Sequence, residues 1–254
     1  MNGTSRDDIL YGALSLEQPE SGPRVTTDTI LLAAYVRNTF VRRGKEASLL
    51  EMGCASGAIA LILALRFPEI PTLRGMDIQG DLVAMARRNA RRNGLHDRLS
   101  FMEGDIRRIR EHFPPQSFRA VVMNPPYEEP GRGRPCASET AQTARQGGTC
   151  SIGDVADAAH YLLGSHGRLY LVFKAERASE VLTTLTSRKI EPKRLRFVHP
   201  KPGRRASVFL VDSIRGGRPG LVVEPPLFIE KEEGGYTEDF LRAYTKEGLS
   251  CPSR

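Results

Sequence analysis

Ser48-Leu49-Leu50-Glu51-Met52 is a short apolar run that stops at Gly53-Cys54-Ala55-Ser56-Gly57 and passes directly into Ala58-Ile59-Ala60-Leu61-Ile62-Leu63-Ala64-Leu65-Arg66. Strand, tight turn and helix in so few residues leave the chain little choice. The helix must pack back over the strand, and the next strand must lie parallel to the first. The unit then repeats. Residues 72–78 read as a strand, and 81–93 as a helix stopped by Gly94, with Leu82, Met85, Ala86 and Asn89 on its inner face. Strands follow at 99–103 and 119–123, then a helix at 152–163, a strand at 167–173, a helix at 175–189 and strands at 194–199 and 206–212. Alternation of this kind predicts an α/β fold with helices on both faces of a mostly parallel sheet. The last two strands are too close in sequence for a helical crossover, so the final one runs antiparallel. The expectation is an open sheet of seven strands. Upstream, residues 1–24 are polar and broken by Pro19, Gly22 and Pro23, and a first helix starts near Thr26-Thr27-Asp28, with Thr27 or Asp28 as its cap.

A chain of 254 residues can bury one substantial core. We expect a single domain over 1–254, with an N-terminal extension at 1–25, a substrate loop at 128–151 and a C-terminal extension at 213–254. The formal net charge of +7 favours a polyanionic partner, RNA or DNA, without bearing on fold. Cys54, Cys136, Cys150 and Cys251 form no CxxC and no Cys/His set at metal-ligand spacing, which predicts reduced thiols and no bound metal. No apolar run approaches the ~20 residues of a membrane span. With the polar start Met1-Asn2-Gly3-Thr4-Ser5, this predicts a soluble, cytoplasmic protein. Nothing in the sequence sets an oligomeric state.

In an open α/β sheet, ligands bind beyond the carboxyl ends of the strands, where the first glycine turn opens its helix. Gly53 and Gly57 let that turn, with Cys54 and Ala55 between them, approach a ligand closely. Glu51 would repel a pyrophosphate there, so a cationic sulfonium suits the site better. Asp77, ending the second strand, is placed to accept hydrogen bonds from ribose hydroxyls. Asp105, beyond the third, is placed to accept an adenine amino group, with Ile78 and Ile106 on the two faces of the ring.

Asn124-Pro125-Pro126-Tyr127 follows the fourth strand. A conjugated amine is a poor nucleophile, because its lone pair is delocalised. The Asn124 side-chain oxygen and the Pro125 carbonyl are placed to accept its two N–H groups and so favour the electron-rich nitrogen of a transition state. The prolines hold those acceptors in advance, and Tyr127 stacks on the base. Such a transfer requires neither a metal nor a strong base. Arg87, Arg88, Arg91 and Arg92 suit a solvated helix face and its dipole. Phosphate contacts fit better at Arg42, Arg43 and Lys45, at Arg132, Arg134 and Arg145, and at Lys201, Arg204 and Arg205. His199 is either a substrate contact or a satisfied structural histidine.

These segments resemble the amino-methyltransferase branch of the class I methyltransferases, and within it the bacterial tRNA adenine-N6 methyltransferases that act on valine tRNA. The resemblance rests on Thr27-Asp28-Thr29-Ile30-Leu31-Leu32, Leu50-Glu51-Met52-Gly53, Met76-Asp77-Ile78-Gln79, residues 89–94, residues 124–127, residues 194–200 and Gly216-Gly217-Arg218-Pro219-Gly220-Leu221. It implies a Rossmann-like fold, S-adenosylmethionine as cofactor and tRNA as partner. The implied cofactor-binding set is Thr27, Asp28, Glu51, Gly53, Cys54, Ala55, Gly57, Asp77, Ile78, Asp105, Ile106 and Asn124. Two departures stand out. Ala55 replaces the middle glycine of the loop, which is tolerable if its φ is negative, and Arg145-Gln146-Gly147 replaces Arg-His-Glu. The alternatives are a protein glutamine-N5 methyltransferase and a cofactor-free RNA-binding scaffold.

Overall fold

The computed structural model describes residues 3–40, 48–126 and 150–249. The chain opens with a hairpin, β1 (Thr4–Ile9) and β2 (Leu14–Pro19), and continues through α1 (Thr27–Tyr35), β3 (Ser48–Met52), α2 (Ala58–Arg66), β4 (Thr72–Asp77) and α3 (Gly80–Arg92). Next come β5 (Leu99–Glu103), the short α4 (Ile109–His112), β6 (Phe118–Met123), α5 (Ile152–Leu162), β7 (Leu163–Lys174) and α6 (Ala178–Ser187). The chain ends with β8 (Ile190–His199), β9 (Val208–Arg215), β10 (Val222–Val223), β11 (Leu227–Phe228) and α7 (Glu238–Ala243).

The main sheet runs β10-β8-β9-β7-β6-β3-β4-β5, with β11 also paired to β8. As expected, β9 is antiparallel to both neighbours and the other pairings are parallel. The count differs: two-residue strands β10 and β11 extend the sheet to nine. They add no hydrophobic periodicity, because each pairs over only two positions after a loop. α1, α2 and α3 bury Leu31, Leu61 and Ala86 on one face of the sheet, whereas α5 and α6 bury Val155 and Val181 on the other. Leu82, Met85, Ala86 and Asn89 are buried as predicted.

The N-terminal segment departs most from expectation. Residues 4–19 form a hairpin in register from Thr4 opposite Pro19 to Ile9 opposite Leu14. Its apolar anchors are few, chiefly Leu10, Leu14 and Leu16. The rest of its attachment is polar and comes from α3. Asn89 receives the Glu17 N–H on Oδ1 (2.8 Å) and donates Nδ2 to the Glu17 carbonyl (2.9 Å). Asn93, one turn later, does the same to Ser15 at 3.0 and 2.9 Å. Two amides on one helix face therefore read the backbone of β2 as a neighbouring strand would.

α1 is capped by Thr26 rather than Thr27 or Asp28, through a reciprocal pair with Thr29. At the other sheet edge, fully buried Asp212 accepts from Arg168 (2.6 Å) and Arg194 (3.3 Å), and Glu224 accepts from Arg194 (2.6 Å) and Arg37 (3.1 Å). This network ties the segment bearing β10 to β8 and β9. Arg194 also lies over the Tyr35 ring at 4.4 Å. Among the described residues, no helix is long and apolar enough to cross a membrane.

Candidate functional site

A cavity of about 450 Å³ opens at the carboxyl ends of β3, β4 and β6, where the order of strands reverses. Glu51, Gly53, Cys54, Ala55, Asp77, Ile78, Asp105, Ile106, Asp28 and Asn124 line it. Ten of the sequence-predicted cofactor residues thus meet around one space.

One wall is the β3 turn. Glu51, fully inside the fold, receives the Ala60 N–H on Oε2 at 2.8 Å and so caps α2 from the preceding strand. Burial, with a smaller contribution from Asp77, pushes its carboxyl up to about 8 despite the Ala60 and Ile59 N–H groups. Asp77 receives the Ala55 N–H on Oδ2 (2.8 Å) and the Gln79 N–H on Oδ1 (3.0 Å), and burial raises its pKa as well. The carboxylate at the end of β4 therefore holds the turn at the end of β3.

Ala55 has φ of +44°, contrary to the negative value its side chain would prefer. Its N–H must point at Asp77, and the left-handed conformation that achieves this carries a local cost of about 1 kcal/mol. Gly57 also departs from expectation. It does not line the cavity; a Cβ there would lie 2.9 Å from Phe101 and 3.0 Å from Ala86, at φ of +83°. Its role is close packing of the turn on β5 and α3, not approach to a ligand. Asp105 caps the 3-10 turn 106–108 through the Arg107 N–H and is forked by Arg107 Nε and Nη2 at 2.9 and 2.6 Å, which lowers its pKa. Ile78 is 46% exposed, a large apolar side chain left open at the cavity, which the buried Ile106 also lines.

Of the opposite wall, only Asp28 was foreseen. Pro23, Arg24, Val25 and Thr26, between the hairpin and α1, line the cavity together with Thr29 of α1. The buried Gln18 side chain fixes them by accepting the Val25 N–H at 2.7 Å. Thr29 then receives Asn124 Nδ2 on its hydroxyl at 3.3 Å, which orients the amide. Asn89 joins the two walls: besides binding Glu17, it donates to the carbonyl of Ser56 in the β3 turn at 3.0 Å. Thr27 lies outside the lining. The repeated Thr26-Thr27-Asp28-Thr29 pattern signalled a cap; nothing in the polar run before it signalled a wall.

Pro125 is buried and Pro126 exposed. Tyr127, Arg42, Arg43, Lys45, Arg132, Arg134 and Arg145 lie outside the described residues, as does most of the loop expected at 128–151. Lys201, Arg204 and Arg205 gather around a second depression with Pro200, Gly203 and Glu230, at the same sheet edge as Asn124. His199 bonds the Arg204 carbonyl through Nδ1 at 2.7 Å and packs on Phe228, so its structural role is filled within the fold. Arg87 donates to the Phe101 carbonyl, and Arg88 and Arg92 pair with Glu17, which matches the structural expectation for that helix face.

Residues 49–148 match a model of the methyltransferase domain. The chain is 27% identical over 227 residues to the tRNA1(Val) (adenine(37)-N6)-methyltransferase of Vibrio parahaemolyticus, covering 89% of each chain. It is 24% identical to the protein of that name from Photorhabdus laumondii, covering 94% of each. Among solved structures, a predicted O-methyltransferase from Agrobacterium tumefaciens superposes with a TM-score of 0.70 at 21% identity, over 88% of this chain and 98% of that one. With a reversing parallel sheet, an antiparallel β9 and a cavity at the switch point, the chain has the Rossmann-like fold of the class I S-adenosylmethionine-dependent methyltransferases. Its sequence is similar over most of its length to the tRNA adenine-N6 enzymes of that class.

Proposed function

We propose that this protein methylates the exocyclic N6 of adenine in tRNA. The observation that carries the proposal is the placement of Asn124 and Pro125 in the wall of the cavity that Gly53 and Asp28 also line, with Asn124 bonded to Thr29. The curated relatives named for this reaction, similar over 89% and 94% of the chain, support the choice of substrate.

The cavity suits S-adenosylmethionine. Four acidic side chains, Asp28, Glu51, Asp77 and Asp105, line a space that Ile78 and Ile106 also line, which matches a ligand with cationic, hydroxylated and aromatic parts. When bound, this cofactor supplies an activated methyl group. Asp77 is placed for ribose hydroxyls and Asp105 for the adenine amino group, while Glu51 holds the β3 turn. The Asn124 side-chain oxygen and the Pro125 carbonyl accept the two N–H groups of the target amine, freeing its lone pair along the line of attack. Tyr127 stacks on the base. Arg132, Arg134, Arg145, Lys201, Arg204 and Arg205 contact phosphates, in a cytoplasmic setting where tRNA is available.

The test is to incubate the protein with methyl-labelled cofactor and total tRNA, then follow the label. Label in the tRNA fraction supports the proposal. Label confined to protein overturns it and favours glutamine methylation.

A further inference from the structure

The lining of the cavity is unbalanced in charge. It presents four acidic side chains, Asp28, Asp77, Asp105 and the buried Glu51, whose carboxyl is pushed up to about 8, and a single cationic side chain among the described residues, Arg24. S-adenosylmethionine and its product S-adenosylhomocysteine each carry a carboxylate at the methionyl end, which needs a donor or cation once it leaves water. The strand order separates the two ends of the cavity. Asp77 and Asp105, with Ile78 and Ile106, belong to the β4 and β5 ends, whereas Asn124 belongs to β6 on the far side of β3. Arg24 stands on the second side, two residues before the Thr26 cap of the helix whose Thr29 touches Asn124.

We propose that Arg24 is the counterion for the carboxylate at the methionyl end of the cofactor, presented by the N-terminal hairpin. The hairpin holds the guanidinium in place. Nη1 donates to Ser5 Oγ and to the Pro19 carbonyl, both at 2.9 Å, and Nη2 donates to Asp7 Oδ2 at 2.7 Å. None of these bonds uses Nε, and Nη2 carries a second N–H besides the one given to Asp7, so two donors remain for a carboxylate. Asp7 is a weak competitor, because the Arg24–Asp7 pair is 37% and 39% exposed and surface pairs of this kind contribute little. Backbone clamps reinforce the arrangement: Asn89 and Asn93 hold β2 to α3, and Gln18 holds Val25. The invasive hairpin is thereby part of the cofactor site, not an appendage.

The inference rests on the S-adenosylmethionine reading, and calorimetry with two ligands separates the two. S-adenosylhomocysteine carries the carboxylate; 5′-methylthioadenosine keeps the adenosine and thioether but lacks the amino-acid end. Arg24→Gln is expected to weaken S-adenosylhomocysteine by about tenfold while leaving 5′-methylthioadenosine within twofold. Asp7→Asn, which frees Arg24 from its competitor, is expected to leave S-adenosylhomocysteine as tight or tighter. Equal loss of both ligands in Arg24→Gln, or no loss of either, overturns the assignment. So does a loss in Asp7→Asn as large as in Arg24→Gln. If the unaltered protein binds neither ligand, the cofactor reading itself fails, and this inference with it.

Discussion

The two walls of the cavity are built by different means. The β3 turn is pinned by strand-end carboxylates at short range, Asp77 to Ala55 and Glu51 to Ala60, inside a close-packed core. The hairpin wall hangs on long-range amide contacts, Asn89 to Glu17 and Asn93 to Ser15, more than 70 residues apart in sequence. Both walls line the same cavity, and among the described residues Asn89 bonds to each. The first wall is a property of the sheet; the second is an attachment whose loss would spare the sheet.

That contrast can be broken deliberately. Asn89→Ala removes partners from the Glu17 N–H and from the Glu17 and Ser56 carbonyls, and it is expected to cost about 4 kcal/mol in urea unfolding. Hydrogen exchange should then accelerate across residues 14–25 ahead of the sheet; uniform acceleration would show that the hairpin is not a separable wall.

Glu51 gives the next effect. Its carboxyl is raised to about 8, so its contribution to stability is present below its ordinary range and is lost as pH climbs through about 8. Glu51→Gln removes that dependence, and at pH 9 the variant without ligand is expected to exceed the parent by about 3 kcal/mol. Identical pH profiles would contradict the burial of a charge there.

Gly57→Ala attacks the core wall through Phe101 and Ala86, at an expected cost of about 2 kcal/mol, with exchange rising around β5 and α3 and not in the hairpin. The smallest effect is a gain. Ala55→Gly relieves the φ of +44° and is expected to stabilise the protein by about 1 kcal/mol; destabilisation would mean that the Ala55 methyl packs productively.

Legibility in the sequence follows the same division. The β3–α2 unit, the acidic strand ends and the antiparallel β9 were readable because periodicity and loop length dictate them. So was the placement of Asn124 at the end of β6. The hairpin was not, because β1 alternates exposed and half-buried residues and β2 is held by asparagine amides, leaving too little apolar contrast for a strand signal. Gly57 was assigned to the ligand when its neighbours are Phe101 and Ala86, a contact that arises only when β5 and α3 fold against the turn. Ala55 took the φ its N–H to Asp77 demands and not the one its side chain prefers.

The central claim concerns Asn124 and the nitrogen it serves. Nucleosides from tRNA treated with the protein and S-adenosylmethionine, separated and weighed by mass spectrometry, test it most directly when run beside Asn124→Ala. The account predicts N6-methyladenosine with the parent and none with Asn124→Ala, although that variant still binds S-adenosylhomocysteine within a few-fold. Undiminished N6-methyladenosine from Asn124→Ala, or a methylated nucleoside other than N6-methyladenosine from the parent, would contradict it.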